Sequence, residues 1–490
     1  MASLARQATV NTALAYVGIG LGFVNVVLLY PRVLAAEEFG LLRLLVSITA
    51  VVAQVAQLGL DNTLIRFFPY FRDPDSGHRG LPSLVLLIGL AGALVAMAVL
   101  GIFHGTFTRI FADRSNLYGL YGLYLLPLVL SEVVFILLRA YSRSLGRSVR
   151  PVFIREFGLR IGQTLLIAVQ LAVEMPFSTF IAWYVAVFAA MALWLVLDIR
   201  SAGELALRSP RVRMPRRLRR SMVTYGAFTL SASLSAIVLG NLDQMMIGAL
   251  LGQVALQQVA YYAVSFYFGS VISAPSRALN QPALPLLADA WKRRDMASID
   301  RLYGRSAMVQ LVVGGFLFLC VISGLDDLYS LLDPAYAQGR EVVLLVAAAN
   351  LFHIALGLNG GIITMSRNYR FDAFTSLLLL VINVVANFFL IRAMGIVGAA
   401  WATLISLVAV NLLRLWFLWS RHRLWPFRWR TLVAVGLIAL VGLAVHWLPL
   451  TGSPMLDLAL RVSAIALLYW PAAFVLKLTP ELVAMLRRPR

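Results

Sequence analysis

The chain alternates between long runs of apolar residues and short polar segments. Crossing a bilayer as an α-helix takes about 20 predominantly apolar residues, and most of these runs reach that length. The pattern predicts an all-α polytopic membrane protein with about fourteen transmembrane helices. We place the spans approximately at residues 9–34, 41–66, 81–104, 117–140, 152–173, 177–197, 221–250, 256–280, 302–323, 341–365, 372–391, 396–419, 431–449 and 456–477.

Composition agrees with this prediction and excludes several classes of protein. Hydrophobic residues are 61% of the 490 residues and charged residues 13%, against roughly 45–50% and 25% in soluble domains. A soluble enzyme, a secreted disulfide scaffold and a disordered chain are therefore excluded. The single cysteine, Cys320, cannot form an internal disulfide and is expected to be inert packing. The first apolar run is too long for a cleavable signal peptide, so we expect it to remain as the first span.

The formal net charge of +20 would suggest a nucleic-acid ligand in a soluble protein. Here the basic residues lie between the apolar runs, where they set the orientation of a membrane protein. With the N-terminus placed in the cytoplasm, 33 of the 42 Lys and Arg residues fall in predicted inner segments and 7 in outer ones. We therefore predict that both termini are cytoplasmic, and we expect no nucleic-acid partner.

The longest polar segment, residues 198–220, separates six predicted spans from eight. Its basic, proline-containing sequence predicts a cytoplasmic linker held at anionic lipid headgroups, with a partner-binding site as the alternative. The helix pairs that open the two parts have a similar pattern, in which Gly40 and Ala260 take matching places, and this suggests an internal repeat. We predict a first lobe of six spans over residues 1–197, the linker over 198–220, a second lobe over 221–419, and two additional C-terminal helices with a tail over 420–490.

Five segments in order along nearly the whole chain carry a family pattern. They read PRVLAAEEFGLLRLL (31–45), LGLDNTLIRFFPYF (58–71), LDQMMIGALLG (242–252), SAPSRALNQPALPLLADAWKRRD (273–295) and GLNGGIITMSRNYRFD (357–372). Together they resemble the polysaccharide flippases (Wzx-like exporters) of the superfamily that also holds multidrug extruders and the lipid II flippase. The resemblance implies two pseudo-twofold six-helix lobes around a central cavity, plus two C-terminal helices. It also implies alternating-access transport of lipid-linked sugars across the bacterial cytoplasmic (inner) membrane.

Charged residues inside spans are costly in hydrocarbon, so each is a candidate for function. Asp61 and Arg66 are five residues apart, off a common helix face, and Arg66 either binds an anion in the cavity or snorkels to the interface. Arg277 follows a Ser-Ala-Pro-Ser break and either binds a diphosphate in bidentate fashion or pairs with an acid or headgroups at the interface. Asp243 is either a functional acid or a packing acid between helices. These four are the substrate-binding candidates.

A second set of residues consists of candidates for ion coupling. Glu132 and Arg139 are seven residues apart on one helix face, and Glu156 and Arg160 are four apart. These charges either neutralise each other or form an ion or proton site in the first lobe. His353 is either a proton-linked switch or, with its neighbouring asparagines, part of the hydrogen bonding between helices. The sequence leaves open whether a proton, sodium or no ion is coupled.

Motifs for chemistry are missing from the sequence. It contains no Walker-type glycine loop, no Cys/His cluster with metal spacing, and no long outer segment with catalytic groups. We therefore expect no cofactor, no metal and no enzyme activity. Four tryptophans interleaved with arginines predict an inner interfacial belt. The tryptophans are Trp416, Trp419, Trp425 and Trp429.

Three functions are weighed against these features. A flippase for a polyprenyl-diphosphate-linked oligosaccharide, serving cell-surface polysaccharide biosynthesis, fits the intramembrane arginines and is the preferred hypothesis. A small-solute or cation exporter of the same superfamily is the alternative, and a membrane polymerase or ligase is the third. The partners expected with the first are the lipid-linked substrate, membrane lipids, and a polysaccharide polymerase with other assembly proteins, with the chain itself a monomer.

Overall fold

A computed structural model describes residues 2–73, 77–112, 116–204, 214–448 and 451–478. The described residues form helices joined by short turns, with no strand among them, so the all-α prediction is confirmed. Helices are what an apolar chain adopts in a bilayer, because each helix satisfies its own backbone hydrogen bonds. The chain divides into two compact units, Met1–Ala263 and Val264–Arg490. The lobe boundaries given above stay a prediction.

The first unit contains twelve helices and the start of a thirteenth among the described residues. Two single π-helical turns, Val24–Leu29 and Ile154–Gly158, interrupt otherwise continuous helices. The helices are α1 (Ala2–Phe23), α2 (Tyr30–Val33), α3 (Ala36–Ala56), α4 (Leu60–Phe67), α5 (Leu81–Ile102), α6 (His104–Ala112), α7 (Asn116–Tyr121), α8 (Leu125–Ser144), α9 (Val149–Phe153), α10 (Leu159–Val173), α11 (Phe177–Ser201), α12 (Arg216–Leu250) and α13 (Ala255–Ser270).

The second unit begins within α13. A 3-10 turn over Val271–Ser273 separates α13 from the next helix, where the sequence predicted a break at Pro275. The remaining helices are α14 (Ala274–Arg293), α15 (Met296–Ser323), α16 (Leu325–Ser330), α17 (Arg340–Ala355), α18 (Asn359–Met365), α19 (Tyr369–Met394), α20 (Ile396–His422), α21 (Trp429–His446) and α22 (Pro454–Val475).

Ten helical segments within the described ranges are long and apolar enough to cross a membrane, and twelve do so if two bent pairs each count as one span. The predicted count of fourteen is not confirmed. The fifth and eighth predicted spans, 152–173 and 256–280, are helical but fall outside the twelve. The fifth contains a π turn with charged residues, and the eighth is divided by the 3-10 turn.

Small residues bring helix backbones of the first unit close together. A Cβ atom on Gly40 of α3 would overlap the carbonyl oxygen of Leu256 at the start of α13 and lie 2.6 Å from its carbonyl carbon. Gly59, after α3, approaches the carbonyl of Gly226 in α12 in the same way. Such close approach is how helices associate in lipid, where hydrophobicity does not drive them together. Gly40, chosen as a repeat position from the sequence, is therefore a packing position.

In the second unit, the two C-terminal helices pack on α15. Leu311 and Val312 of α15 share one buried cluster with Val441 of α21 and Ile465 of α22. Tyr469 of α22 lies in the same cluster, and its hydroxyl donates to the carbonyl of Val312 at 2.9 Å. This hydrogen bond satisfies the phenol hydroxyl, the one polar group that Tyr469 places in this apolar cluster.

Candidate functional site

Charged side chains from several helices meet inside the first unit. Glu132 of α8 is buried, and its Oε2 accepts a hydrogen bond from Nη1 of Arg155 at 2.7 Å. The guanidinium of Arg155 also lies 5.6 Å from the ring centroid of Phe135. Arg139, the predicted partner of Glu132 on the same helix face, interacts electrostatically with both Glu132 and Arg155. Glu132 therefore bonds across helices, to a residue that the sequence had placed in an inner loop.

The segment that supplies Arg155 is one of the two π turns. Arg155 and Glu156 both lie in the turn Ile154–Gly158, and Glu156 pairs with Arg160 one turn later, as the sequence predicted. Gly18 of α1 makes room for this pair, because a Cβ there would lie 2.6 Å from Oε2 of Glu156. A π turn widens the helix by one residue and often occurs at functional positions.

The other π turn is bonded to α10, the helix that follows the first π turn. Asn25, in Val24–Leu29, is buried and donates from Nδ2 to the carbonyl of Arg160 at 2.9 Å. Thr164 donates to Oδ1 of Asn25 at 2.8 Å. One amide side chain therefore joins the π turn Val24–Leu29 to α10. Sequence reasoning missed it because an isolated Asn in an apolar run is not distinctive.

Arg43 extends this group of charges along α3. Its charge acts on the phenols of Tyr30 and Tyr184, whose rings meet edge-on at 6.4 Å, and the charge of Arg155 also acts on Tyr184. The sequence had counted Arg43 with the outer residues, whereas it lies two turns inside α3. Arg43 lies seven residues after the start of α3 at Ala36, and this distance was the signal in the sequence that it is inside the span.

We call these residues the first-unit charge cluster. Its members are Arg43, Arg139, Arg155, Arg160, Glu132 and Glu156, with Asp61 interacting with Arg139 at its edge. Four arginines against three carboxylates leave an excess of one positive charge. An arrangement of this kind within apolar helices suits the binding of an anion, because arginine offers several donors in fixed geometry.

The candidates Asp61 and Arg66 lie on the short helix α4, which starts after a left-handed turn at Gly59. Asp61 accepts from the backbone N–H of Asn62 at 2.7 Å. Arg66 is exposed, with its guanidinium 4.2 Å from the ring centroid of Tyr225. Within the described residues no ion pair joins Asp61 to Arg66, as their five-residue spacing predicted.

Asp243 is buried in α12 and makes a contact between helices. Its Oδ2 accepts from the hydroxyl of Tyr262 in α13 at 2.5 Å. The next residue, Gln244, is also buried and accepts from the hydroxyl of Ser47 in α3 at 2.9 Å. These two bonds tie α12 to both neighbours, which favours the packing interpretation of Asp243 and leaves a further role as a proposal.

His353 lies where a span of the second unit breaks. The helices α17 and α18 are bent by 47° across Leu356–Leu358, and Gly357 there has a positive φ of 58°. The amide of Asn411 in α20 contacts Nδ1 of His353 at 3.1 Å, and Asn359 donates to Oδ1 of Asn411 at 2.8 Å. Broken helices are tolerated within a membrane where polar groups satisfy the freed backbone, and here Oδ1 of Asn359 accepts from the backbone N–H of Gly360 at 2.6 Å.

An ion pair beside this break was missed by sequence reasoning. Arg414 of α20 contacts Asp372 of α19 at 2.8 Å, and their side chains are 12% and 20% exposed. Arg414 also donates to the hydroxyls of Thr375 at 3.0 Å and Ser376 at 3.1 Å. The sequence had counted Arg414 among the inner basic residues, whereas it lies two turns before the end of α20. Arg414 comes three residues after Asn411, and this helical spacing was the signal in the sequence that both lie on one face of α20.

The backbone of Arg277 lies in α14, directly after the predicted break, and its side chain lies outside the described part of the structure. Nearby, Ser273 and Ser276 donate back to carbonyls one turn earlier, at 2.8 and 2.7 Å. Both serine hydroxyls therefore have acceptors within the same stretch of chain. The search of the described residues finds no group of three His, Cys, Asp or Glu side chains that could hold a metal.

Comparison with known proteins gives consistent matches. A family model described as "Polysaccharide biosynthesis protein" matches residues 4–291. A probable low-salt glycan biosynthesis flippase of Haloferax volcanii is 22% identical over 402 residues, which cover 80% of this chain and 79% of that protein.

Solved structures agree on the fold. The lipid II flippase in an inward closed conformation matches with a TM-score of 0.72 at 11% identity, covering 95% of this chain and 98% of that one. An inward-facing multidrug resistance transporter of the MATE family matches with a TM-score of 0.60 at 11% identity, covering 85% and 98%. At these identities the likeness shows the fold, which is that of both transporters.

Proposed function

The chain belongs to the polysaccharide biosynthesis protein family, and we propose that it is a flippase for a polyprenyl-diphosphate-linked oligosaccharide. In this proposal it moves the lipid-linked sugar across the bacterial cytoplasmic membrane by alternating access, and so supplies cell-surface polysaccharide biosynthesis. A multi-pass membrane protein of this family needs no chemical step for that task, because the lipid-linked sugar is unchanged by crossing.

The first-unit charge cluster is the observation that carries the proposal. A diphosphate is the part of such a substrate that costs most to move through hydrocarbon, because its charge must leave water. Four arginines held within apolar helices replace some of that hydration with fixed donors, and the excess positive charge favours an anion. The name of the Haloferax volcanii relative, a glycan biosynthesis flippase, supports the same substrate class.

The two glutamates give the cluster a second role in the proposal. Arg155 bonds Glu132 at 2.7 Å, and Arg160 bonds Glu156. An incoming diphosphate would compete with these carboxylates for the same guanidinium groups, since both ligands are oxyanions that arginine binds in bidentate fashion. A carboxylate released in this way is free to take up a proton or a cation, which would couple ion binding to substrate binding.

The orientation and partners also belong to the proposal. The Lys and Arg distribution supports cytoplasmic termini in a bacterial inner membrane. A polysaccharide polymerase and other assembly proteins would receive the flipped substrate, and the chain would act as a monomer. Arg277, Arg66, Asp61 and Asp243 remain substrate-binding candidates, and His353 remains a candidate for ion coupling.

The test is flipping by purified protein in vesicles. A fluorescent polyprenyl-diphosphate oligosaccharide is incorporated, and the fraction reached by an external quencher is followed with time. We expect the protein to accelerate exchange between leaflets and Arg139→Gln to slow it at least about tenfold, because one charge-assisted contact to the diphosphate is lost. Arg392→Gln is the matched control, because Arg392 is exposed and stacks on Phe388 outside the cluster.

The vesicles also separate the proposal from its alternative. A cation exporter of the MATE type would leave the lipid in place and move a fluorescent organic cation instead. The proposal is wrong if folded protein moves the cation and not the lipid, or if Arg139→Gln and Arg392→Gln flip the lipid equally fast.

A further inference from the structure

A basic cavity lies among α15, α21 and the end of α22, away from the residues discussed so far. Its volume is about 330 Å³. Arginines form its rim, two from α15 and two from the start of α21, and apolar side chains form its base. The rim is Arg301, Arg305, Arg428 and Arg430, and the base includes Met308 and Leu478.

The rim carries a net positive charge. Asp300 pairs with Arg428 at 2.8 Å, which neutralises one of the four guanidinium groups. Arg301 donates to the hydroxyl of Ser298 at 2.8 Å, and Arg430 lies 5.9 Å from the ring centroid of Trp429, so neither contact removes its charge. Several guanidinium groups around one opening favour phosphate, whose oxygens each accept more than one N–H.

A smaller cavity adjoins the first and shares part of its wall. It measures about 270 Å³ and is lined by the same Arg301 and Arg305. Asp289 pairs with Arg293, whereas Asp295, which caps the start of α15 through Ser298, keeps its charge and acts on Arg301. With Asp300 and Asp295 both set against the four rim arginines, the described residues still leave an excess of positive charge.

The base of the cavity is apolar and continuous with the core. Leu478 is buried in the cluster that joins α15 to α21 and α22, and Met308 packs against that cluster. A ligand that fills this space meets cations at the mouth and hydrocarbon below. That is the polarity of an amphiphile, and free inorganic phosphate would use only the mouth.

The cavity also lies at the level expected for lipid headgroups. It is found where α20 ends at His422, where α21 begins at Trp429 and where α22 ends at Val475. Trp425 and Trp429 beside it are exposed, and tryptophan is enriched at the membrane–water interface. Basic pockets between spans at the cytoplasmic side are typical sites for anionic lipid headgroups.

We propose that this cavity binds the phosphate-bearing headgroup of an anionic glycerophospholipid, which thereby holds the two C-terminal helices against α15 at the membrane surface. All four rim arginines are exposed, and this suits an abundant membrane lipid in exchange with the bilayer. The lipid bridges Arg301 and Arg305 of α15 to Arg428 and Arg430 at the start of α21. The inference does not depend on which substrate the protein transports.

The test measures lipid binding and stability on the full chain. Purified protein in a neutral detergent is titrated with phosphatidylglycerol, cardiolipin or phosphatidylcholine, with bound lipids counted by native mass spectrometry and unfolding temperature recorded. We expect the two anionic lipids to bind and raise the unfolding temperature, because a ligand of the folded state stabilises it. Arg305→Gln/Arg430→Gln should weaken binding about tenfold or more, and it leaves the Arg428–Asp300 pair intact.

The matched control is Arg367→Gln/Arg370→Gln. It removes the same charge from exposed arginines that line neither cavity, and it should keep wild-type binding. If both double variants weakened lipid binding equally, the lipid would be attracted to the overall positive charge of the protein and not to this cavity, and the proposal would be overturned. So would equal stabilisation by phosphatidylcholine, by inorganic phosphate alone, or by a polyprenyl diphosphate with no response to glycerophospholipid. Because flipping is not the readout, failure here leaves the proposed transport untouched.

Discussion

Gly357, at the break between α17 and α18, is where a single methyl group should have a large effect. Its φ is 58°, in the left-handed region that side chains with a Cβ rarely adopt. A Cβ at this position would lie 2.7 Å from the backbone nitrogen of Ala307 and 2.9 Å from its Cα, whereas ordinary contacts begin at 3.4 Å. These atoms belong to the backbone of α15, so no side-chain rotation can relieve the overlap.

The cost of Gly357→Ala has two separable parts. The left-handed conformation costs an alanine about 1–2 kcal/mol, and pushing α15 away from the break costs about 1–3 kcal/mol as overpacking. We therefore expect a loss of about 2–5 kcal/mol of stability. Gly146→Ala isolates the first part, because Gly146 has a φ of 82° and nothing within 4 Å of its Cβ position. Gly436→Ala carries neither cost, because Gly436 lies inside the regular helix α21 and also has nothing within 4 Å of its Cβ position.

The assay is thermal unfolding of the three variants in one detergent. The expected order of unfolding temperature is Gly436→Ala highest, Gly146→Ala lower and Gly357→Ala lowest. A Gly357→Ala protein as stable as Gly146→Ala would show that α15 does not press on the break and would refute the reasoning.

Three further predictions concern polar groups. Glu132→Gln should lower the free energy of unfolding by about 2–4 kcal/mol, less than for a fully buried pair because a third of Arg155 is exposed. Combining it with Arg155→Leu should regain part of that loss in a double-mutant cycle measured by thermal unfolding. Strictly additive effects of the two substitutions would contradict the pairing. Arg414→Lys should lower the unfolding temperature, because a lysine ammonium cannot contact Asp372 and also donate to the hydroxyls of Thr375 and Ser376 as the planar guanidinium does. An unchanged unfolding temperature would mean that these bonds are not formed. Hydrogen bonds from the hydroxyl and the backbone N–H of Ser298 hold the pKa of Asp295 below its ordinary 3.8. The stability that ionised Asp295 gives the folded protein is therefore complete above pH 3.8 and is lost as the pH falls through the folded-state pKa. Asp295→Asn keeps the cap without titrating, and its unfolding temperature should respond less to acid than wild type; parallel curves would refute this.

Hydrophobic length predicted most of the spans because a bilayer enforces it, but two predicted spans show where length is insufficient. Residues 152–173 are helical, yet Arg155, Glu156 and a π turn occupy the part that length alone treated as uniform. Residues 256–280 contain a 3-10 turn at Val271–Ser273, just before Pro275, where proline chemistry predicted a kink. The sequence indicates that a helix is interrupted; it does not indicate how the two sides are then oriented.

The candidate site shows the same division between local and distant information. The pair Glu156–Arg160 lies on one helix and follows from spacing alone. The pairs Glu132–Arg155 and Arg414–Asp372 join different helices, so they depend on how each helix is rotated about its axis. Rotation is set by the sum of many small packing contacts, none of which is visible in the spacing of charges along one helix.

The irregular turns of this chain coincide with its buried polar groups. Asn25 lies in one π turn and bonds the carbonyl of Arg160, which follows the other. Asn359 begins the helix after the bend in the second unit and bonds Asn411. In a membrane, backbone that leaves the helical pattern is stable only where protein or water satisfies it. Here amide side chains do so: Asn25 bonds the carbonyl of Arg160, and Asn359 accepts from the backbone N–H of Gly360. In the proposed function, a diphosphate that enters between such helices would find polar side chains already held in place, which lowers the cost of taking its charge out of water.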